Sequence, residues 1–297
     1  ALSNYAISYV NNTASTITPY IVSLTGGRVY DATANLAASV LTIGQLVGTE
    51  TLTISGVGVL QDPDGTGILR DKDVGTGKSF DIGTLSLVGA GSGATAGLAS
   101  NYTLENGGRT ATITQATISA VTGITATNKT YDGNNTASLV TSGASFTGRL
   151  SNDVLNVANS TGVFDSARAA TGKTVSISGI TLGGTDAGNY ILTTSTATTT
   201  ATINPYAVTV TALSQTKAYD SNTSVASTAL NVGYSVGTMV QGESLSGVTL
   251  AYADANVSRD GSGTVLSDKT IVVSAAQATA GTTVLSDYAI SYVNNTA

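Results

Sequence analysis

The sequence predicts an all-β protein made of three tandem β-sandwich-like domains, Ig-like or β-grasp-like, in an elongated array. Three observations predict it. β-Branched residues alternate with Thr and Ser between clusters of Gly, Asn and Asp, the pattern of half-buried strands. No long segment carries apolar residues at i, i+3 and i+4 between helix caps. One ordered set of short motifs recurs three times along 297 residues, a length that suits two or three domains of roughly 100–150 residues.

Composition narrows the function classes. There is no Cys, His or Trp, and 12 Lys and Arg stand against 18 Asp and Glu, for a net charge of −6. Without His or Cys the chain has no Ser-His-Asp triad, cysteine nucleophile, thiolate zinc site or His-bound iron or copper. Its acidity argues against nucleic acid, which needs a basic face. Only 10% of residues are charged, against roughly 25% in an ordinary domain. The expected surface is therefore Thr, Ser, Asn and Gly, neutral and hydrogen-bonding. With 41% apolar residues the chain has material for packed cores and is not a disordered acidic tail. No run approaches the roughly 20 apolar residues of a membrane helix, and residues 1–10 have no signal-peptide pattern.

The strands read off in order are Ile17–Leu24, Thr174–Ile180, Val208–Leu213 and Thr270–Ser274, with the Thr tract Thr193–Thr202 as another. The best helix candidate is Ser151–Ala158, two turns at most.

Internal repetition is the strongest signal. Residues Leu2–Ala14 read LSNYAISYVNNTA and Leu285–Ala297 read LSDYAISYVNNTA, differing only at Asn4 and Asp287, at an offset of 283 residues. The offset implies a tandem array of a long unit, with residues 1–17 as the closing strand of a preceding copy. That strand is expected to pack on the first domain or to pair with a strand edge of another molecule. Within the unit three weaker repeats follow one order. Each opens with a basic-x-Tyr-Asp signal: Arg28-Val29-Tyr30-Asp31, Lys129-Thr130-Tyr131-Asp132 and Lys217-Ala218-Tyr219-Asp220. Next come Gly, Leu or Met, and an acid: Gly44, Leu46 and Glu50; Gly148, Leu150 and Asp153; Gly237, Met239 and Glu243. A Gly-rich turn then leads to Lys78, Lys173 or Lys269, and Asn or Asp precedes a closing Tyr at Tyr102, Tyr190 and Tyr288. The boundaries are 18–115, 116–205 and 206–297. Connectors of one to three residues imply stiff links.

This pattern resembles the YDG domain and the related MBG-type repeats of large filamentous-haemagglutinin-like adhesins of Gram-negative bacteria. The middle repeat carries it best, with Lys129-Thr130-Tyr131-Asp132-Gly133, Ala170-Thr171-Gly172-Lys173, Asp186-Ala187-Gly188-Asn189-Tyr190 and Ala201-Thr202-Ile203-Asn204-Pro205. The first repeat has Ala32 where the motif has Gly, and the third has Ser221 and an expanded turn. The resemblance implies an exported, cell-surface array protein and names no ligand.

The signature residues read as structural. Asp31, Asp132 and Asp220 are expected to cap turns through backbone amides. The paired Tyr30, Tyr131 and Tyr219, and the closing Tyr102, Tyr190 and Tyr288, are expected to lay rings on the core edge and bond a neighbouring loop through the hydroxyl. The alternative is a glycan-stacking platform. Tyr supplies 13 aromatics against three Phe, so structural use is expected. Gly-Thr-Gly-Lys is no phosphate loop, which needs G-x-x-x-x-G-K-[ST] before a helix. It reads as a hairpin turn with an exposed Lys. Asp62, Asp64, Thr66 and Asp73 fall at positions 1, 3, 5 and 12 of a calcium-type loop with Gly67 at position 6. Its flanks are not helical and the middle repeat has no counterpart, so it reads as an acidic turn, with calcium as the alternative and no other cofactor. A Lys–Asn isopeptide bond at Lys78, Lys173 or Lys269 is the remaining covalent chemistry.

The expected function is a stiff spacer in a secreted bacterial surface adhesin, with neighbouring repeats of the same chain as partners. The alternative is an adhesive module. Its loops 56–71, 88–100 and 257–268 would bind a glycan, a host protein or another copy. Catalysis is not expected, because the acids sit in turns. Neither nucleic acid nor membrane insertion is expected of this segment.

Overall fold

In the computed structural model the described residues are 4–61, 71–104, 108–150 and 152–296. The protein is all-β: helical structure among these residues is confined to three-residue 3₁₀ turns such as Ala99–Asn101, Ala187–Asn189 and Leu285–Asp287. No helix among them is long and apolar enough to cross a membrane. The chain divides into two compact units, and the middle repeat contributes segments to both.

The first unit comprises residues 1–119, 148–155 and 183–193. Its main sheet has six strands in the order Asn35–Ala37, Val57–Leu60, Gly75–Asp81, Arg109–Thr114, Leu24–Val29, Leu41–Ile43. Thr51–Ser55 pairs antiparallel with Ser86–Ala90. Alternation places Leu24, Leu36, Leu60, Phe80 and Ile113 in the core, each no more than 1% exposed. At roughly 25 cal/mol per Å² of apolar surface, each such side chain contributes about 1.5–3 kcal/mol of burial.

The second unit comprises residues 120–147, 156–182 and 194–297. One sheet runs Lys129–Thr130, Ala197–Asn204, Ala170–Gly183, Asn156–Phe164, Thr136–Ala137. A three-stranded sheet orders Tyr234–Val236, Tyr206–Ala212 and Tyr288–Val293, and Leu245–Tyr252 pairs with Ile271–Ala278. Their inner faces meet in a core of Val210, Ala212, Tyr234, Leu245, Val248, Leu250, Tyr252, Ile271 and Val273, with Met239 packed on it.

One pairing recurs at equivalent places. The first strand of each repeat runs parallel to its closing-Tyr strand, with Tyr20 opposite Tyr102, Ala116 opposite Tyr190 and Tyr206 opposite Tyr288. A parallel pair points its two strands the same way, so the chain must cross over between them rather than turn back through a hairpin.

Three local expectations need correction. Residues 152–158 form no helix, and Asn156–Phe164 is a strand. A two-turn helix is marginal without an apolar face to pack, whereas NVANSTGVF has sheet partners on both sides. Gly75-Thr76-Gly77-Lys78 and its counterpart Ala170-Thr171-Gly172-Lys173 are not hairpin turns. They lie within the strands Gly75–Asp81 and Ala170–Gly183 and form a bulge of one extra residue, with the register passing from Ala111–Lys78 to Ile113–Gly75 and from Lys173–Ala201 to Ala170–Ile203. Gly77 and Gly172 hold φ of 66° and 63° there, which glycine adopts at no steric cost. The bulge turns the Lys inward, so Lys78 and Lys173 have side chains only 10% and 7% exposed, in ion pairs with Asp71 and Asp165. Lastly, residues 6–19 form no strand and do not pack on the first repeat, and Tyr5, Tyr9, Val10 and Ile17 are exposed. The near-identical Tyr288–Val293 is a strand because Tyr206–Thr211 supplies its parallel partner.

Candidate functional site

The Tyr-Asp turns are built alike in all three repeats. The Asp accepts from the backbone N–H two residues on: Asp31 from Thr33 at 2.9 Å, Asp132 from Asn134 at 3.1 Å and Asp220 from Asn222 at 3.1 Å. The basic residue three before it pairs with that Asp and clamps the loop. Arg28 donates to the carbonyls of Thr33 and Asn35, and Lys129 and Lys217 donate to Asn134 and Asn222. The residue after the Asp has positive φ in every copy: Ala32 at 63°, Gly133 at 79° and Ser221 at 59°. The glycine of the motif is thus explained by a left-handed backbone that Ala32 and Ser221 adopt as well.

The closing tyrosines repeat a second geometry. Each hydroxyl donates to the acid of its own repeat and accepts a backbone N–H three residues ahead of that acid. Tyr102 bonds Glu50 at 2.7 Å and Val47 N at 3.1 Å; Tyr190 bonds Asp153 at 2.6 Å and Leu150 N at 3.0 Å; Tyr288 bonds Glu243 at 2.8 Å and Val240 N at 3.2 Å.

These two constructions meet at the joints. Within the first unit, Tyr30 of the first repeat donates to Asp153 of the second at 2.8 Å, so two tyrosines converge on one carboxylate. Lys72 completes the cluster, bonding Asp153 at 2.9 Å, Tyr30 at 2.6 Å and Asp186 at 3.1 Å. The rings of Tyr30 and Tyr190 pack edge to face at 5.5 Å. Asn189 accepts from Val74 N at 2.9 Å and donates to Asp73 at 2.8 Å. Asp153 is 5% exposed and Asn189 4%.

Within the second unit the same joint forms between the second and third repeats. Tyr131 and Tyr288 donate to the two oxygens of Glu243, with their rings 5.7 Å apart. Asp287 is fully buried, accepting from Ala169 N at 2.7 Å and pairing with Arg168 at 2.8 Å.

Electrostatics follow the burial. Desolvation and the carboxylate bond push the Tyr190 and Tyr131 hydroxyls up to about 12. Burial also raises Tyr30 to about 12, against the pull of Lys72. Burial alone would raise Asp153, but its bonds from Lys72, Tyr190 and Tyr30 win and hold it below the usual range. Lys72 likewise lies above its ordinary value because those bonds outweigh its desolvation. The result is a charged junction in which carboxylate, hydroxyls and ammonium bond one another.

Other singled-out residues fall elsewhere. Asp62, Asp64 and Thr66 lie outside the described residues, and Asp73 is bonded by Asn189. No cluster of three or more acids that could hold a metal occurs among the described residues. Lys78, Lys173 and Lys269 pair with Asp71, Asp165 and Asp254 rather than with Asn. Tyr219, the third Tyr of the opening signal, stays 63% exposed. Sequence reasoning noted Glu50, Asp153 and Glu243 as recurring acids without giving them a partner, and it missed Lys72, Arg168, Asn189 and Asp287 as joint residues. The available signal was that one acid and two tyrosines recur in the same order in every repeat.

No curated protein and no solved structure matches the chain. The YDG domain family matches it twice, over residues 13–112 and 110–200. The matched span contains Tyr30, Tyr131, Asp153 and Tyr190, the residues that build the first joint and open the second. The chain belongs to the YDG domain family.

Proposed function

We propose that this chain is a repeat segment of a secreted bacterial surface adhesin, acting as a stiff spacer that carries an adhesive region away from the cell for surface attachment or biofilm formation. The observation that carries the reading is the shared carboxylate. Asp153 is held at once by Tyr30 of the preceding repeat and Tyr190 of its own, and Glu243 by Tyr131 and Tyr288. Beads on a flexible linker have no reason to bury a charge where they meet, since an unpaired buried carboxylate is costly. The parallel pairing within each repeat supports the same reading. A repeat whose first and last strands point the same way receives the chain at one end and releases it at the other. The sparsely charged, Cys-free chain suits export without mispaired disulfides.

Small-angle scattering tests the spacer. A globule of this length has a radius of gyration of about 19 Å. A rod of three repeats with strands of ~10 residues has one of roughly 35 Å. The larger value, unchanged by calcium, is expected. The smaller value overturns the spacer, and extension only with calcium redirects attention to the segment 62–73.

One observation favours an adhesive module as a second reading. The third repeat holds an open cleft of about 470 Å³ whose lining includes Lys217, Tyr219, Tyr252, Asp254, Val265 and Lys269.

A further inference from the structure

Two of the three Tyr-Asp turns end in a buried tyrosine, and the third does not. Tyr30 and Tyr131 are each 3% exposed, whereas Tyr219 is 63% exposed. The turn is not the cause, because Lys217, Asp220 and Asn222 repeat the bonds of Lys129, Asp132 and Asn134. What Tyr219 lacks is an acid to meet.

The first repeat shows the opposite deficit. Glu50 accepts from Tyr102 through Oε2, and among the described residues nothing bonds Oε1. In Glu243 that second oxygen takes Tyr131. Tyr288 carries the edges of both Tyr206 and Tyr131, whereas among the described residues Tyr102 carries only Tyr20. Asn101 is exposed, although its equivalents Asn189 and Asp287 are buried against the backbone N–H groups of Val74 and Ala169. Those two N–H groups lie four residues before Lys78 and Lys173. The group four before Lys269 belongs to Val265, which lines the cleft beside Tyr219 and whose N–H makes no bond among the described residues. Arg259 stands between Asp254 and Lys269 as Lys72 stands between Asp71 and Lys78, and it is exposed.

We propose that the Tyr219 end of the third repeat and the Glu50 end of the first are two halves of the same joint, and that a second copy of this chain fills the cleft. Tyr219 of one copy donates to Glu50 of the next and packs on Tyr102, while Asn101 of the next accepts from Val265 N. Spacing agrees. Continued at the 283-residue offset, Glu50 and Asn101 of the second copy fall at 333 and 384 on the first copy's count, 114 residues after Tyr219 and 119 after Val265. The internal joints span 123 and 112 residues for the tyrosine and 115 and 118 for the amide or carboxylate. The single difference between the two end segments, Asn4 for Asp287, keeps the chemistry, since Asn189 makes the same backbone bond in the first joint. The inference deepens the spacer reading and rests on it for the copy-after-copy order.

The test fuses residue 297 of one full chain to residue 15 of a second, which preserves the 283-residue register and tethers the two ends at high effective concentration. The chain has no Cys, so Thr249→Cys in the first copy and Ser79→Cys in the second accept spin labels without competition. A narrow inter-label distance distribution is expected. Tyr219→Phe in the first copy with Asn101→Ala in the second should reduce the ratio of narrow to broad component by roughly thirtyfold or more, the loss of one hydrogen bond to a charged group and one to backbone. Both side chains are exposed in the single chain, so the same substitutions there should leave its Tm unchanged. A broad distribution in the unsubstituted fusion, or a narrow one indifferent to both substitutions, overturns the joint. Scattering from the single chain is a separate measurement. An extended single chain with a broad fused distance sinks the joint alone, and a compact single chain with a narrow fused distance sinks the spacer alone.

Discussion

Asp153 and Asp287 are both buried acids at joints, yet their surroundings differ. Asp153 accepts from Lys72, Tyr30 and Tyr190, and only side chains hold it. Asp153→Ala takes the shared acceptor from two tyrosine hydroxyls and leaves Lys72 only Asp186 and Tyr30, and is expected to cost about 3–5 kcal/mol. Asp287 divides its bonds between a backbone N–H and Arg168, whose side chain is 51% exposed. Asp287→Asn keeps the backbone bond that Asn189 already demonstrates in the other joint and loses only a screened ion pair, so it should cost less than about 1 kcal/mol. Urea unfolding of the two variants checks the contrast. Equal losses would mean that the ion pair, not the backbone bond, holds the second joint.

At the scale of the element, the bulge decides where Lys78 and Lys173 point. Gly77 and Gly172 have positive φ, and a Cβ built on either meets nothing within 4 Å. Gly77→Ala and Gly172→Ala therefore carry a conformational cost without a clash, expected at roughly 1–2 kcal/mol each. Gly133→Ala differs, because its Cβ approaches the Val240 side chain at 3.0 Å as well as adopting φ of 79°. A thermal-denaturation series should rank Gly133→Ala as the costliest of the three. A neutral Gly77→Ala would show that the bulge is not the strained feature taken here. The segment was legible in sequence as a turn signal. Its conversion into a bulge was not, since glycine at positive φ serves turns and bulges alike.

For the whole molecule, composition and joints together fix the response to pH. With no His and no Cys, no side chain has an ordinary pKa between the carboxylates and Tyr or Lys. Asp132, Asp153 and Asp186 lie below their usual values in the folded chain. Their contribution is complete above the unfolded value of about 4 and is lost as pH falls through the folded one. Tyr30, Tyr131 and Tyr190 are raised to about 12, and Tyr288 and Lys72 are raised too. Their contribution is complete below about 10 and is lost as pH climbs towards 12. Melting temperature is expected to be flat from about pH 5 to 9 and to fall on both sides, steeply in alkali. A drop between pH 6 and 8 would contradict this assignment of the titrating groups.

The sequence by itself determined the all-β class, the threefold order of motifs, the Asp-capped turns and the recurring tyrosines. Each of these is written within a few neighbouring residues: a strand by period-two alternation, a turn by Asp and a residue tolerant of positive φ. Only the tertiary structure decided what the tyrosines hold. Tyr30 and Asp153 stand 123 residues apart and Tyr131 and Glu243 112 apart, and no local pattern specifies a partner at that distance. Sheet register and the meeting of successive repeats bring them together. Tyr219 shows the division. Its turn is formed as locally as the other two, yet its ring is exposed and no carboxylate bonds its hydroxyl among the described residues.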